Sequence, residues 1–227
     1  MKKTLLSIIF SLFFATNSFS HLKHYQDINY LEYELYRNNN LIGTHKYNFI
    51  KNGDNLTVKS VVNFKITKLG IDLYKYFAES EEKYNKNRFS SFNSKTLQNK
   101  KKKYVNISLK KKENKLLIDG SSYKGDTNTD YVVGTWWNHE IVKAKAQISA
   151  ISGRVIHQKV EFLGKKQIEV NGKNYETLHF KFLSSDETLP DNKKLNTDIW
   201  YDAKSFIWLK AQFIKQGNWE YRLKKVN

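Results

Sequence analysis

A period-two alternation of apolar and polar residues recurs from Leu31 almost to the C-terminus. Successive side chains of a strand point to opposite faces, so this pattern marks strands with one buried and one solvated face. Leu31, Tyr33 and Leu35 alternate with Glu32, Glu34 and Tyr36. Leu41 to Lys51 places Gly43, His45, Tyr47 and Phe49 on one face. Val58, Ser60, Val62, Phe64 and Ile66 alternate with Thr57, Lys59, Val61, Asn63 and Lys65. Short turn signals separate the segments. Asn52-Gly53-Asp54-Asn55 and Asn171-Gly172 are strong hairpin turns, because Asn and Gly accept positive φ. Lys68-Leu69-Gly70 breaks the pattern before Asp72–Tyr84.

Further strands are expected at 88–97, 103–111, 115–119, 145–151, 154–162, 166–170, 175–183, 196–202, 206–215 and 219–225. Residues 120–134 read as a long loop, and 184–194 as a polar loop with the chain's one proline, Pro190. Thr135 is expected to cap a short helix containing Trp136, Trp137, Glu140, Ile141 and Val142. The sum is about a dozen strands with short connections, the signature of an antiparallel meander rather than of βαβ units. A sheet of this size must curl, close or split. The expected fold is therefore all-β with minor α: one large curved antiparallel sheet, a half-barrel or open barrel, with a short helix against its concave face.

Residues 1–20 read as a secretory signal peptide. Lys2 and Lys3 precede an apolar stretch from Leu5 to Ala15, and Ser18 and Ser20 offer a cleavage site before His21. That stretch is too short to span a bilayer. The expected domains are the leader, 1–20, and one β-rich domain, 21–227, exported to the periplasm with no transmembrane segment in the mature chain. The sequence has no cysteine, which excludes disulfides, thiol catalysis and cysteine-ligated metals.

Lys and Arg number 39 against 22 acids, a net charge of +17. Such an excess favours anionic partners, here an envelope surface. It also follows from A/T-rich codons, which supply Lys, Asn, Ile, Phe and Tyr together. Arg37, Arg88, Arg154 and Arg222 are the only arginines, and the Arg forks of base readout are nearly missing. Export and this bias argue against nucleic acid.

Several residues carry candidate chemistry. His21 and His24 form a copper-type start, but no spacing selects a further ligand, so no metal is assigned. His139 beside Glu140 is an acid/base candidate, although neighbours on a helix do not face each other. Glu79, Glu81 and Glu82 are candidates for the paired carboxylates of glycoside hydrolysis, but nothing in the sequence sets their separation, and they are read as a solvated strand face matched to lysines. Lys100–Lys103, at an expected hairpin tip, and Lys110–Lys112 are a candidate basic patch for phosphates, or the charge by which an exposed edge avoids aggregation. No phosphate-cradling loop and no H-E-x-x-H, G-x-S-x-G or S-x-x-K motif is present, and no cofactor is expected. The aromatic surplus is the most informative feature: Tyr74, Trp136, Trp137, Trp200 and Trp208 are the expected lining of an apolar pocket.

Gly43-x-His45, Leu69-Gly70-x-x-x-Tyr74-x-Tyr76, Glu82-x-Tyr84, Phe92-x-Ser94-x-Thr96, Trp137-Asn138, Ser152-Gly153, Asp198-x-Trp200-Tyr201-Asp202 and Gly217…Glu220-Tyr221-Arg222-Leu223 occur in this order. Together they resemble a family of exported bacterial proteins defined as a domain of unknown function, over residues 30–223. The family brings no catalytic residues to carry over. The Trp-Tyr-Asp ending is also similar in architecture to periplasmic lipoprotein-carrier half-barrels, which hold acyl chains in a lidded cavity. The leading expectation is thus a protein, non-enzymatic on balance, that binds a lipid-like or other apolar ligand. The alternatives are an envelope glycan or lipid hydrolase using His139 and Glu140, and a structural interaction module without a small ligand.

Overall fold

The computed structural model describes residues 25–227; the leader and the His21 and His24 candidates lie outside the described residues. The strands are β1 Tyr30–Arg37, β2 Asn40–Asn52, β3 Asn55–Lys68, β4 Ile71–Asn85, β5 Arg88–Gln98, β6 Lys101–Lys110, β7 Lys115–Gly120 and β8 Lys124–Asn128. The second half adds β9 Val132–Val133, β10 Ala146–Ile148, β11 Val155–Val170, β12 Lys173–Ser184, β13 Asn196–Asp202, β14 Trp208–Ile214 and β15 Asn218–Val226.

All belong to one open sheet in the order β8-β7-β6-β5-β4-β3-β2-β1-β15-β14-β13-β12-β11-β10-β9. Every pair is antiparallel except β9 with β10. The first and last strands pair in the middle, and β8 and β9 form the two edges. Only residues 129–131 separate those edges in the chain, so the sheet must curl until they meet. The seam has side-chain and turn contacts instead of a ladder. Ser122 N–H donates to Ser152 O at 2.9 Å, and Ser94 Oγ to Ala150 O at 2.6 Å. A Cβ on Gly120 would lie 2.6 Å from Ser152 O, so only glycine allows this approach.

Alternation is visible strand by strand: Leu31, Tyr33, Leu35, Tyr47, Phe49, Val58 and Phe64 point into the concave side and are buried. Two-residue turns with positive φ at both central positions, such as Asn38-Asn39, Leu69-Gly70 and Asn171-Gly172, match the strand twist.

Three expectations change. The loop at 120–134 holds β8 and β9, whose few, mostly polar residues gave no alternation. The segments at 154–162 and 166–170 are one strand, β11, with an irregularity at Gly164 that the sequence reads as a break. The short helix is smaller, a 3-10 turn over His139–Val142, and its cap is Asn138, whose Oδ1 accepts from Glu140 N at 3.1 Å. Thr135 turns its hydroxyl to Glu82 instead.

Candidate functional site

Residues 134–145 cross the concave side as a plug. Its centre, Thr135-Trp136-Trp137, is a tight three-residue turn: Trp137 N–H donates to Thr135 O at 2.7 Å and Trp136 has φ +58°. A bulky residue in left-handed backbone is strained, and such strain persists only where the surroundings hold it. Here three tyrosines hold it. Tyr47 donates to Thr135 O at 2.6 Å, Tyr201 to Trp136 O at 2.9 Å, and Tyr25 to Trp137 O. Three successive carbonyls of the plug are thereby tied to three separate segments of the wall.

The turn sends its two tryptophans in different directions. Trp137 is fully buried, packed edge-on against Tyr25, Phe49 and Tyr84. Its Nε1 donates to Glu82 at 3.0 Å. Glu82 also accepts from Tyr84 at 2.5 Å and from Thr135 Oγ1 at 3.3 Å. Burial pushes the Glu82 carboxyl up to about 7, although these three donors pull it down. All three are neutral, so nothing offsets the desolvation of the charge by Coulombic attraction.

Trp136 faces the other way. It is half-buried and meets Trp208, Phe213 and Tyr221 edge-on. It lines a cleft of about 980 Å³, together with Ile151, Leu183, Leu195, Phe213 and Ile214. Asp186, Glu187, Asp191 and Lys194 line its polar side. The aromatic wall continues from Phe213 to Trp219, from Trp219 to Phe64, and from Phe64 to Tyr74 and Tyr76, each step between 4.7 and 6.0 Å. His45 lies lower on this wall, over Tyr47 at 4.2 Å. Its two ring nitrogens are sealed from solvent without a hydrogen-bond partner, and burial lowers its pKa to about 3.

The five expected lining residues therefore separate. Trp136 and Tyr74 belong to the aromatic wall at this end. Trp137 and Trp208 are fully buried beneath it, Trp208 stacked on Tyr33 at 4.1 Å. Trp200 is a correction: it lies on the convex face. Ile199 and Tyr201 take the inward positions of β13, and alternation turns Trp200 outward. There it stacks on His179 at 4.2 Å beneath Lys210, and His179 Nε2 pairs with Asp198 at 2.8 Å.

His139 and Glu140 approach to 3.6 Å. His139 is buried beside Tyr25 and Phe206, and neither residue of the pair is among those lining the cleft. Glu81 matches the solvated reading, paired with Lys59 and Lys83. Glu82 does not. The signal was its inward parity with Tyr84 and Ser80, masked by its charged neighbours. Among the described residues, no three His, Asp or Glu gather as a metal site. No helix among them is long and apolar enough to cross a membrane.

A single sheet curled until its edges meet, with an aromatic plug inside, defines a β-barrel-like protein. The chain belongs to the family described as "Domain of unknown function (DUF6134)", which it matches over residues 33–224. Among solved structures it is similar to a β-barrel-like protein of the domain of unknown function DUF1849 from Brucella abortus. That match has a TM-score of 0.60 at 12% identity, over 88% of this chain and 97% of the other, and it establishes a shared fold. A DUF1329 family protein from Desulfovibrio piger is matched over 92% of this chain and 90% of its own at 8% identity. Its TM-score of 0.20 is too low to carry an argument. No curated protein matches the sequence.

Proposed function

We propose that this is an exported, periplasmic protein that binds a lipid-like or otherwise apolar ligand in the concave side of its sheet. The observation that carries the reading is the cleft lined by Trp136. Small-molecule sites usually occupy roughly 300–1,000 Å³ and pair an apolar wall with a few polar groups. The cleft of about 980 Å³ reaches the upper part of that range and has both. The interior below Trp136 is filled by Trp137, Trp208 and their partners, which confines a ligand to the upper half and makes the site a cup rather than a tunnel. The leader sequence supports export, and the lysine excess supports attraction to an anionic envelope surface.

Native mass spectrometry of the protein, purified gently from the periplasm and repeated after solvent extraction, tests the reading. A bound lipid that leaves on extraction, and is lost from Trp136→Ala, is the expected result. A clean apo mass for the unaltered protein, with no binding of added lipid, would set it aside in favour of an interaction module.

A further inference from the structure

The β3–β4 hairpin projects beyond its neighbours. Its ladder runs to Lys68 opposite Ile71, while the β2–β3 ladder stops at Gly43 opposite Phe64 and the β4–β5 ladder at Tyr76 opposite Gln98. Lys75 is still tied to the next turn, exchanging 2.8 Å hydrogen bonds with Asn99. Beyond it the two strands pair only with each other. At about 3.3 Å per residue, the apex stands roughly 15–20 Å past the Gln98 pair.

Tyr74 turns back onto Phe64, but the aliphatic side chains of this ribbon do not serve the fold. Leu69 is 93% exposed, Ile71 65% and Leu73 55%. Leu69 also holds φ +51°, the first of two left-handed positions in its turn. Asn38, Asn171, Lys86 and Gln216 take that position in other turns of this chain, where a polar side chain meets water. A leucine there loses both backbone comfort and burial. Isolated two-stranded ribbons with bare aliphatics are marginal in water and liable to aggregate.

The charge around the ribbon is one-sided. Lys65, Lys68 and Lys75 accompany one acid, Asp72, shared by Lys65 at 3.8 Å and Lys75 at 3.1 Å. The neighbouring β5–β6 turn, at the same end of the sheet, carries Lys100–Lys103, and no acid occurs between Glu82 and Glu113. Exposed aliphatics at a tip, with Lys68 beside them and Lys65, Lys75 and Lys100–Lys103 behind, match an anionic bilayer: an apolar interior below a layer of negative headgroups. The overhang exceeds the headgroup layer, which is about 5–8 Å deep on each side.

We propose that the β3–β4 hairpin is a membrane-docking finger. Leu69, Ile71 and Leu73 enter the acyl region of an anionic bilayer, Lys68 extends its stem back from the apex to the headgroups, and Lys65, Lys75 and Lys100–Lys103 lie against them. The cleft lined by Trp136 opens at the same end, because antiparallel pairing puts the turns at Leu69-Gly70, Ile151 and Lys215–Gly217 on one side. The inference stands apart from the ligand reading: docking needs no occupied cleft.

The test is co-sedimentation with vesicles of phosphatidylcholine alone or mixed equally with phosphatidylglycerol. The unaltered protein is expected to bind the mixed vesicles and not the neutral ones, and to release in 1 M salt, where the screening length falls to about 3 Å. The triple variant Leu69→Ser, Ile71→Ser, Leu73→Ser is expected to lose at least about tenfold in partition, because three exposed aliphatics no longer enter the bilayer. The chain has no cysteine, so Leu69→Cys accepts one environment-sensitive dye. Its emission is expected to shift to the blue on mixed vesicles. Unchanged partition of a folded triple variant, an unshifted dye, or no binding to anionic vesicles would each overturn the proposal. Trp136→Ala, which probes the ligand site, is expected to leave partition unchanged, so the two readings fail separately.

Discussion

At the end of the sheet that holds the Gly53, Lys86-Asn87 and Asn171-Gly172 turns, long hairpins fold inward. Ile168, Val170 and Tyr175 of β11–β12 pack on the main core, and Asn171 Nδ2 donates to Leu223 O at 2.7 Å. At the opposite end the equally long β3–β4 hairpin holds Leu69, Ile71 and Leu73 in solvent, and a cleft lies open above Trp136. The contrast continues within the dipeptide Trp136-Trp137. One ring is sealed and hydrogen-bonded to a buried carboxyl; the other lines the cleft. The lower end uses its aromatics for packing, and its polar groups are tied together around Glu82. The upper end leaves apolar surface uncovered. Stability is concentrated in the first and capacity for partners in the second.

The sharpest way to break this contrast is to truncate each tryptophan. Trp137→Ala removes a buried ring and leaves Glu82 short of a donor, and is expected to cost about 4–5 kcal/mol. Trp136→Ala should cost less than about 2 kcal/mol, since its ring is half-exposed. Equal losses in urea titrations would mean that both ends are core.

The pH dependence offers a second comparison. Glu82 rises from 4.5 to about 7 on folding, and His45 falls from 6.5 to about 3. Between pH 4.5 and 6.5 the unfolded chain carries the proton on His45 and the folded chain carries it on Glu82. The counts match, so the two groups together give no slope there. Glu82→Gln exposes the His45 contribution: stability should rise with pH from about 3 to 6.5, by up to about 1.4 kcal/mol per unit. His45→Phe exposes the Glu82 contribution, and stability should fall from about pH 4.5 to 7 at a similar slope. Melts at half-unit pH intervals that show no opposite slopes would remove the claim that both groups are buried uncharged.

Two smaller changes refine the picture. Tyr47→Phe leaves Thr135 O without its hydroxyl donor and should cost about 1–2 kcal/mol, read by chemical denaturation. Leu69→Asn puts a residue suited to positive φ at the exposed apex, and should leave stability unchanged or raise it by a few tenths of a kcal/mol. A clear loss there would show that the finger packs against something in its own chain.

Much of the sheet was legible because alternation reports burial directly, and Asn-Gly turns report where the chain reverses. Elsewhere that code is silent. β8 and β9 have too few apolar residues to alternate, and Gly164 hides the continuity of β11. Trp200 groups with the other tryptophans by residue type, but its parity, between Ile199 and Tyr201, turns it outward. Glu82 had the right parity for burial, yet flanking Glu81 and Lys83 made it look solvated. Trp136 and Trp137 are the same residue type in adjacent positions, so nothing local separates plug from cleft lining.

Strand periodicity and turn chemistry act over a few residues, so the order of amino acids is enough to dictate an antiparallel sheet too large to remain flat. That the edges meet at a seam, that a strained turn holds one tryptophan down and the other up, and that one hairpin outruns its neighbours emerges only in the folded chain. Those outcomes depend on register and on contacts between residues as far apart as Tyr25 and Trp137, whose energies no local pattern records.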